Sequence, residues 1–88
     1  MKTQFRKSFV RDLKKIKDRA MLDRIAQVIE EVEAAAGLQD IAQLKKMHGA
    51  ADCFRIRVGD HHIGVVLKSD TLIFVRCLPR PDLYKFFP

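Results

Sequence analysis

Apolar residues change their spacing near Cys53, and that change divides the chain into a helical half and a stranded half. Before it, Phe9, Leu13 and Ile16 recur at intervals of four and three, and Met21, Leu22, Ile25, Ile29 and Val32 continue the stripe. An α-helix gathers such positions onto one face. From Cys53 onward, Phe54, Ile56 and Val58 alternate with Cys53, Arg55 and Arg57, the period of a strand with one buried face. Two further apolar runs, Ile63 to Lys68 and Leu72 to Leu78, follow the turns Val58-Gly59-Asp60-His61 and Lys68-Ser69-Asp70-Thr71. Three strands with connections this short pair as an antiparallel meander.

In the helical half, Ser8 is the expected N-cap of a helix whose polar face carries Arg11, Lys14, Lys15 and Lys17. A break near Asp18-Arg19 precedes the second helix, and Gly37 is expected just past its end. So short a connection packs the two as a hairpin. Between Gly37 and His48-Gly49 the pattern reads as a loop with one helical turn through Ile41 and Leu44. Lys2 to Arg6 is an extended start, and Pro81 opens a last helical turn through Leu83, Tyr84 and Phe87. No repeat or linker interrupts the 88 residues, which suit a single domain over 1–88. The fold class is α+β. A short N-terminal strand leads into an α-helical hairpin packed on one face of an antiparallel β-sheet, in the order β-α-α-β-β-β, with a short C-terminal helical turn.

With helices on one face, the other face carries the function. It would hold Arg55 and Arg57, then His62, Gly64, Val66 and Lys68, then Phe74 with Arg76, with Arg80 and Tyr84 where the tail leaves the sheet. Strands about 4.8 Å apart make Arg55, Arg57, His62 and Arg76 natural neighbours. One bulge inverts the faces of the last two strands. Lys45 and Lys46, in the loop before the meander, widen this basic surface if that loop folds over the same edge, and with Lys68 and Arg76 they are the candidates for binding RNA if the partner is a nucleic acid. A guanidinium offers a planar fork suited to phosphate, and 17 Lys and Arg against 11 Asp and Glu leave +6. Both point to a polyanionic partner, nucleic acid or an acidic protein. Ordinary roles stand beside this reading. Arg55 and Arg57 would equally pair with Glu30, Glu31 or Asp52, and Tyr84 would sit in a hydrophobic flap.

The same residues narrow the chemistry. Adjacent His61 and His62 on a strand point to opposite faces, and His48, Cys53 and Asp60 restore no ligand spacing, so no metal is expected. Four glycines form no nucleotide-binding loop, and no cofactor is expected. Two cysteines suit reduced thiols. No run nears the ~20 apolar residues of a membrane span, and the residues after Met1 lack a signal-peptide core. A cytoplasmic protein with no membrane partner is expected. What is left is metal-free work on a phosphodiester. RNA supplies its own nucleophile, the 2′-hydroxyl. An enzyme must deprotonate it, protonate the leaving 5′-oxygen and stabilise the phosphorane between, which arginines do by electrostatic preorganisation. A histidine with a pKa of about 6.5, or a tyrosine held near cations, serves the proton transfers.

Three segments carry a family resemblance: Leu44-Lys45-Lys46-Met47-His48-Gly49, Cys53-Phe54-Arg55-Ile56-Arg57-Val58, and Val75-Arg76-Cys77-Leu78-Pro79-Arg80 with Tyr84 and Phe87-Pro88 after it. In this order the chain resembles the RelE/ParE superfamily of toxins from type II toxin–antitoxin modules. The resemblance implies a metal-independent endoribonuclease, an mRNA interferase that cuts mRNA on the ribosome by 2′-hydroxyl attack and is held inactive by an acidic antitoxin. It implies that Arg55 and Arg57 contact substrate phosphate and that Arg80 and Tyr84 match the arginine and tyrosine at the exit of the last strand. His62 stands where the family usually has an arginine. The ParE branch shares the fold, poisons DNA gyrase and lacks the ribonuclease constellation. A gyrase inhibitor, or an inactive toxin that still binds its antitoxin, therefore stays open beside the ribonuclease.

Overall fold

The computed structural model describes residues 1–88. Strand β1 (Lys2–Phe5) leads into helices α1 (Lys7–Lys14) and α2 (Arg19–Ala34). A 3-10 turn at Leu38–Asp40 is followed by strands β2 (Leu44–Lys46), β3 (Cys53–Val58), β4 (His61–Lys68) and β5 (Thr71–Pro79), and by helix α3 (Arg80–Phe86). The five strands lie in the order β1-β5-β4-β3-β2. The expected meander is antiparallel as read, but the sheet is mixed, because β1 runs parallel to β5 at its edge.

The helical hairpin covers one face. Phe9 from α1 and Met21, Ile25 and Val32 from α2 pack on Ile56, Val58, Ile63, Val65, Leu72, Phe74 and Cys77. Their spacing on the helices and alternation on the strands are the two periods of the sequence, each delivering its apolar stripe to the same layer. Phe9 meets Phe74 edge-on with centroids 5.3 Å apart, and Phe5 closes the same corner at 5.1 Å from Phe74. Asp18 begins α2 by accepting from Met21 N at 3.3 Å.

Four local expectations are corrected. Ser8 is no cap: Arg6 precedes α1 and contributes no side-chain bond, while the Ser8 hydroxyl donates to the carbonyl of Val75. Gly37 does not end α2. Its φ of −165° is ordinary extended backbone, and the helix stops at Ala34. The closing carbonyls there accept from the Met1 ammonium, at 3.2 Å for Val32, 3.0 Å for Glu33 and 2.7 Å for Ala35. A cation at this end also suits the helix dipole. Lys45 and Lys46 lie not in a loop but on β2, whose three residues are too few to display a period.

The fourth correction concerns Arg76. Val65 pairs with Phe74 while Gly64 pairs with Arg76, so Val75 is an extra residue and β5 carries a bulge. Phe74 goes into the helix-side core, and Arg76 does not share its face. The guanidinium instead reaches α1, where Asp12 accepts from Arg76 Nε at 2.7 Å and Nη2 at 3.2 Å. The same carboxylate accepts from the backbone N of Cys77 at 2.9 Å. Pairing of β1 with β5 ends at Phe5 and Phe74, with Arg6 N on the Phe74 carbonyl. Beyond that point Ser8 and Asp12, one helical turn apart on α1, satisfy the bare edge in place of a strand.

Asp12 is 4% exposed, so deleting it strands a guanidinium and a backbone N–H together. Asp12→Ala should cost about 3 kcal/mol, and Ser8→Ala about 1 kcal/mol, read from urea midpoints at neutral pH. An Asp12→Ala midpoint matching the parent would show that water serves this edge equally well.

Candidate active site

On the sheet's other face, the chain continues from β5 straight into α3. Arg80 N donates to the carbonyl of Asp60 at 2.9 Å, tying the start of α3 to the β3–β4 turn. Leu83 and Phe87 then pack with Met47 and Cys53 over Val66, Val75 and Leu78, forming a second, smaller core. This cover is partial. Next to it, β3 and its neighbours lay out two rows of side chains.

In one row Lys45, Arg55 and Gly64 are register partners across β2, β3 and β4. In the next, Arg57, His62 and Leu78 are partners across β3, β4 and β5. Residues directly opposite share a face. Arg80 and Tyr84 stand four apart on α3 and so line one side of that helix. The Tyr84 ring meets His62 edge-on, with centroids 6.0 Å apart and planes at 80°. The structure therefore brings together Arg55, Arg57, His62, Arg80 and Tyr84, and adds Lys45 beside Arg55.

His62 is the floor of this cluster and only 1% exposed. Burial, followed by the positive charges of Arg55, Arg80 and Arg57, pushes its pKa down to about 4. Its Nδ1 is buried without a hydrogen-bond partner. The ring is therefore neutral at pH 7, which corrects the expectation of a histidine titrating near neutrality. The three arginines have no carboxylate partner. The ion pairs of the chain are Lys2–Asp70, Arg19–Asp23, His61–Asp60 and Arg76–Asp12, so Glu30, Glu31 and Asp52 leave Arg55 and Arg57 unpaired. Like charges gathered without a counterion repel, and an anion seated among them relieves that repulsion.

Other residues singled out from the sequence lie elsewhere. Lys46 is the partner of Phe54 and so shares the helix-side face. Lys68 ends β4, six positions from His62, a separation of about 20 Å along a strand. Arg76 continues the row of Arg55 and Gly64 as the register partner of Gly64, but its guanidinium is held by Asp12 at the sheet edge and lies 5.8 Å from the centroid of the Phe86 ring. His61 bonds Asp60 at 2.9 Å and holds that exposed carboxyl below its ordinary pKa. No three His, Cys, Asp or Glu side chains gather as a metal site. No helix is long and apolar enough to cross a membrane.

Scanned against protein-family models, the chain matches none. It is 40% identical over 89 aligned positions, covering all of both chains, to Toxin RelE3 of Methanocaldococcus jannaschii. The chain belongs to the RelE family of toxins. A RelE fold is also what the solved structures show. The RelB–RelE antitoxin–toxin complex from Methanococcus jannaschii superposes with a TM-score of 0.80 at 40% identity, over 97% of this chain and 99% of that one. The archaeal RelE–RelB complex from Pyrococcus horikoshii OT3 gives 0.72 at 18% identity, over 90% and 93%, a likeness of fold alone.

Burial of His62 predicts a pH signature in this RelE-family chain. The unfolded histidine takes up a proton near pH 6.5, whereas the folded one resists until about pH 4. Between those values the unfolded state binds more protons, so stability falls as pH falls. The loss amounts to about 3 kcal/mol by pH 4. His62→Gln removes this contribution, so its urea midpoint should drop less than the parent's between pH 7 and pH 4.5. Parallel losses in both proteins would place the imidazole in water.

Proposed function

We propose that the chain, as a single domain over 1–88, is the toxin of a toxin–antitoxin pair and cuts mRNA without a metal. The observation that carries this reading is the set of three unpaired guanidinium groups around a buried histidine with no hydrogen-bond partner. A phosphodiester supplies the missing counter-charge. With the scissile phosphate between Arg55, Arg57 and Arg80, the 2′-oxygen attacks phosphorus as the bond to the 5′-oxygen breaks. The arginines stabilise the phosphorane's extra negative charge.

His62 accepts the 2′-hydroxyl proton. A base of pKa about 4 is weak in the free protein, but an anionic phosphate beside it favours the imidazolium and raises its affinity for that proton. Tyr84, exposed and edge-on to His62, gives its phenolic proton to the leaving oxygen; afterwards Tyr84 regains a proton from solvent and His62 releases its own. Lys45 holds a flanking phosphate. The products carry a 2′,3′-cyclic phosphate and a 5′-hydroxyl. Message on the ribosome, in the cytoplasm, is the substrate.

The partner is an acidic antitoxin. A charge of +6 with an uncovered basic face favours an acidic segment that folds as it binds. The antitoxin–toxin complex formed by the chain 40% identical to this one supports the same partner.

Single-turnover cleavage of an mRNA in a translating extract, read by primer extension, tests the proposal. His62→Ala, Arg80→Ala and Tyr84→Phe should each slow it about 100-fold or more. Arg55→Ala with Arg57→Ala should abolish it while the protein stays folded. EDTA should change nothing. Between pH 5 and 8, kcat/KM should show no inflection near 6.5, because the free protein's imidazole is already neutral there. A magnesium requirement or a 5′-phosphate end would overturn the mechanism. An intact message with gyrase blocked would favour the ParE-type reading.

A second prediction concerns the partner. The acidic product of a neighbouring reading frame should co-purify with the toxin and suppress its effect on growth. Suppression without a complex, or a complex without suppression, would contradict that assignment.

A further inference from the structure

Gly64 lies in the middle of β4, where a residue without a side chain weakens a strand, and it is fully enclosed. The reason is above it. A Cβ built on Gly64 would stand 2.6 Å from Cδ2, 2.8 Å from Cγ and 2.9 Å from Cε2 of Phe87. All three atoms belong to one ring, which therefore lies across the bare backbone of β4. Phe87 is 4% exposed, and its N–H donates to the carbonyl of Leu83 at 2.8 Å, so the ring is fixed to the end of α3.

The position of that contact matters. Gly64 follows His62 by two along β4 and so shares its face. It is also the register partner of Arg55. Helix α3 is attached at one end by Arg80 N on Asp60, within the cluster, and at the other by Leu83 and Phe87 on the sheet. Tyr84 lies between these two attachments. We propose that Phe87 is a positioning residue: its ring, seated on Gly64, clamps α3 to the sheet, sets Arg80 and Tyr84 over His62, and keeps water from the imidazole. Phe87 touches no reacting atom and acts through the helix it anchors. Its importance for catalysis rests on the ribonuclease reading, whereas the clamp itself does not.

The groups facing His62 are Arg55 and Arg57 from β3 and Arg80 and Tyr84 from α3, while β5 presents uncharged Leu78. Removing the ring changes none of these charges directly. It lets water in and lets α3, with Arg80, move away. Both effects favour the protonated imidazole.

The test is an NMR titration of His62 in the parent, Phe87→Ala and Gly64→Ala, each checked for folding by near-ultraviolet circular dichroism. In both variants the His62 pKa should rise from about 4 by about one unit or more toward 6.5. A role confined to packing would lower stability and leave that pKa in place, and an unshifted His62 in a folded variant overturns the proposal. Phe87→Leu keeps apolar volume but not the flat face. It should give a smaller shift of the same sign, and it decides the matter if the other two do not fold. In cleavage assays the folded variants should lose rate with His62 itself intact. If the parent cuts no RNA, the titration still judges the clamp while the ribonuclease reading fails separately.

Discussion

A single buried carboxylate joins α1 to the edge of the sheet. Asp12 takes both Arg76 nitrogens and the backbone of Cys77 where the outer edge of β5 has lost its neighbouring strand. A sheet edge left open at this depth would carry unsatisfied backbone groups against the core. A helix has no free backbone groups to offer in its middle, so α1 serves the edge with side chains, Ser8 and Asp12 on one face. Phe9 between them enters the core in the same register.

The bulge at Val75 belongs to the same arrangement. The extra residue lets Arg76 reach Asp12 while Phe74 and Cys77 both stay in the core. One consequence is that Arg76 leaves the sheet on the face of Gly64, yet its guanidinium is taken at the edge by Asp12 and neutralised. The three arginines left there have no such partner. The molecule thus contains two solutions to the problem of placing a guanidinium near a protein interior. One is a closed, bidentate pair that stabilises the fold. The other is an open cluster whose counter-charge must come from outside, which is the usual condition of a site built to bind an anion.

Much of this was legible in the sequence because it follows from period. The switch at Cys53, the alternation of Arg55 and Arg57, and the four-residue step from Arg80 to Tyr84 depend on local geometry alone. Features hidden from the sequence each needed a long-range fact. A bulge adds one residue without changing composition, so the inward face of Phe74, opposite to that of Arg76, was unreadable. β2 is three residues long, and only its pairing with β3 reveals it and separates Lys45 from Lys46. Asp12 sits in sequence between Arg11 and Lys14 on a helix with a basic face, and nothing local marks it as buried. His62 is legible as a member of the open face, but its burial beside Tyr84 and Leu78 is not, because no spacing within β4 records residues from β5 and α3. Gly64 was the one hint, since a glycine inside a strand signals a close approach by something else.

The edge pairing has a consequence for the order in which the molecule forms. β1 is made first, yet its only partner in the sheet is β5, and Asp12 and Arg76 are 64 positions apart. Contacts this distant along a chain close late, because their loop entropy must be met before they return any stabilisation. During synthesis the first strand and the buried carboxylate stay without partners until nearly everything after them has emerged. Arg80 and Tyr84 emerge later still. The helices α1 and α2 bury their apolar faces on the sheet, so they too wait for the strands. The arginine cluster, drawn from β3 and α3, is therefore assembled among the last parts of the fold.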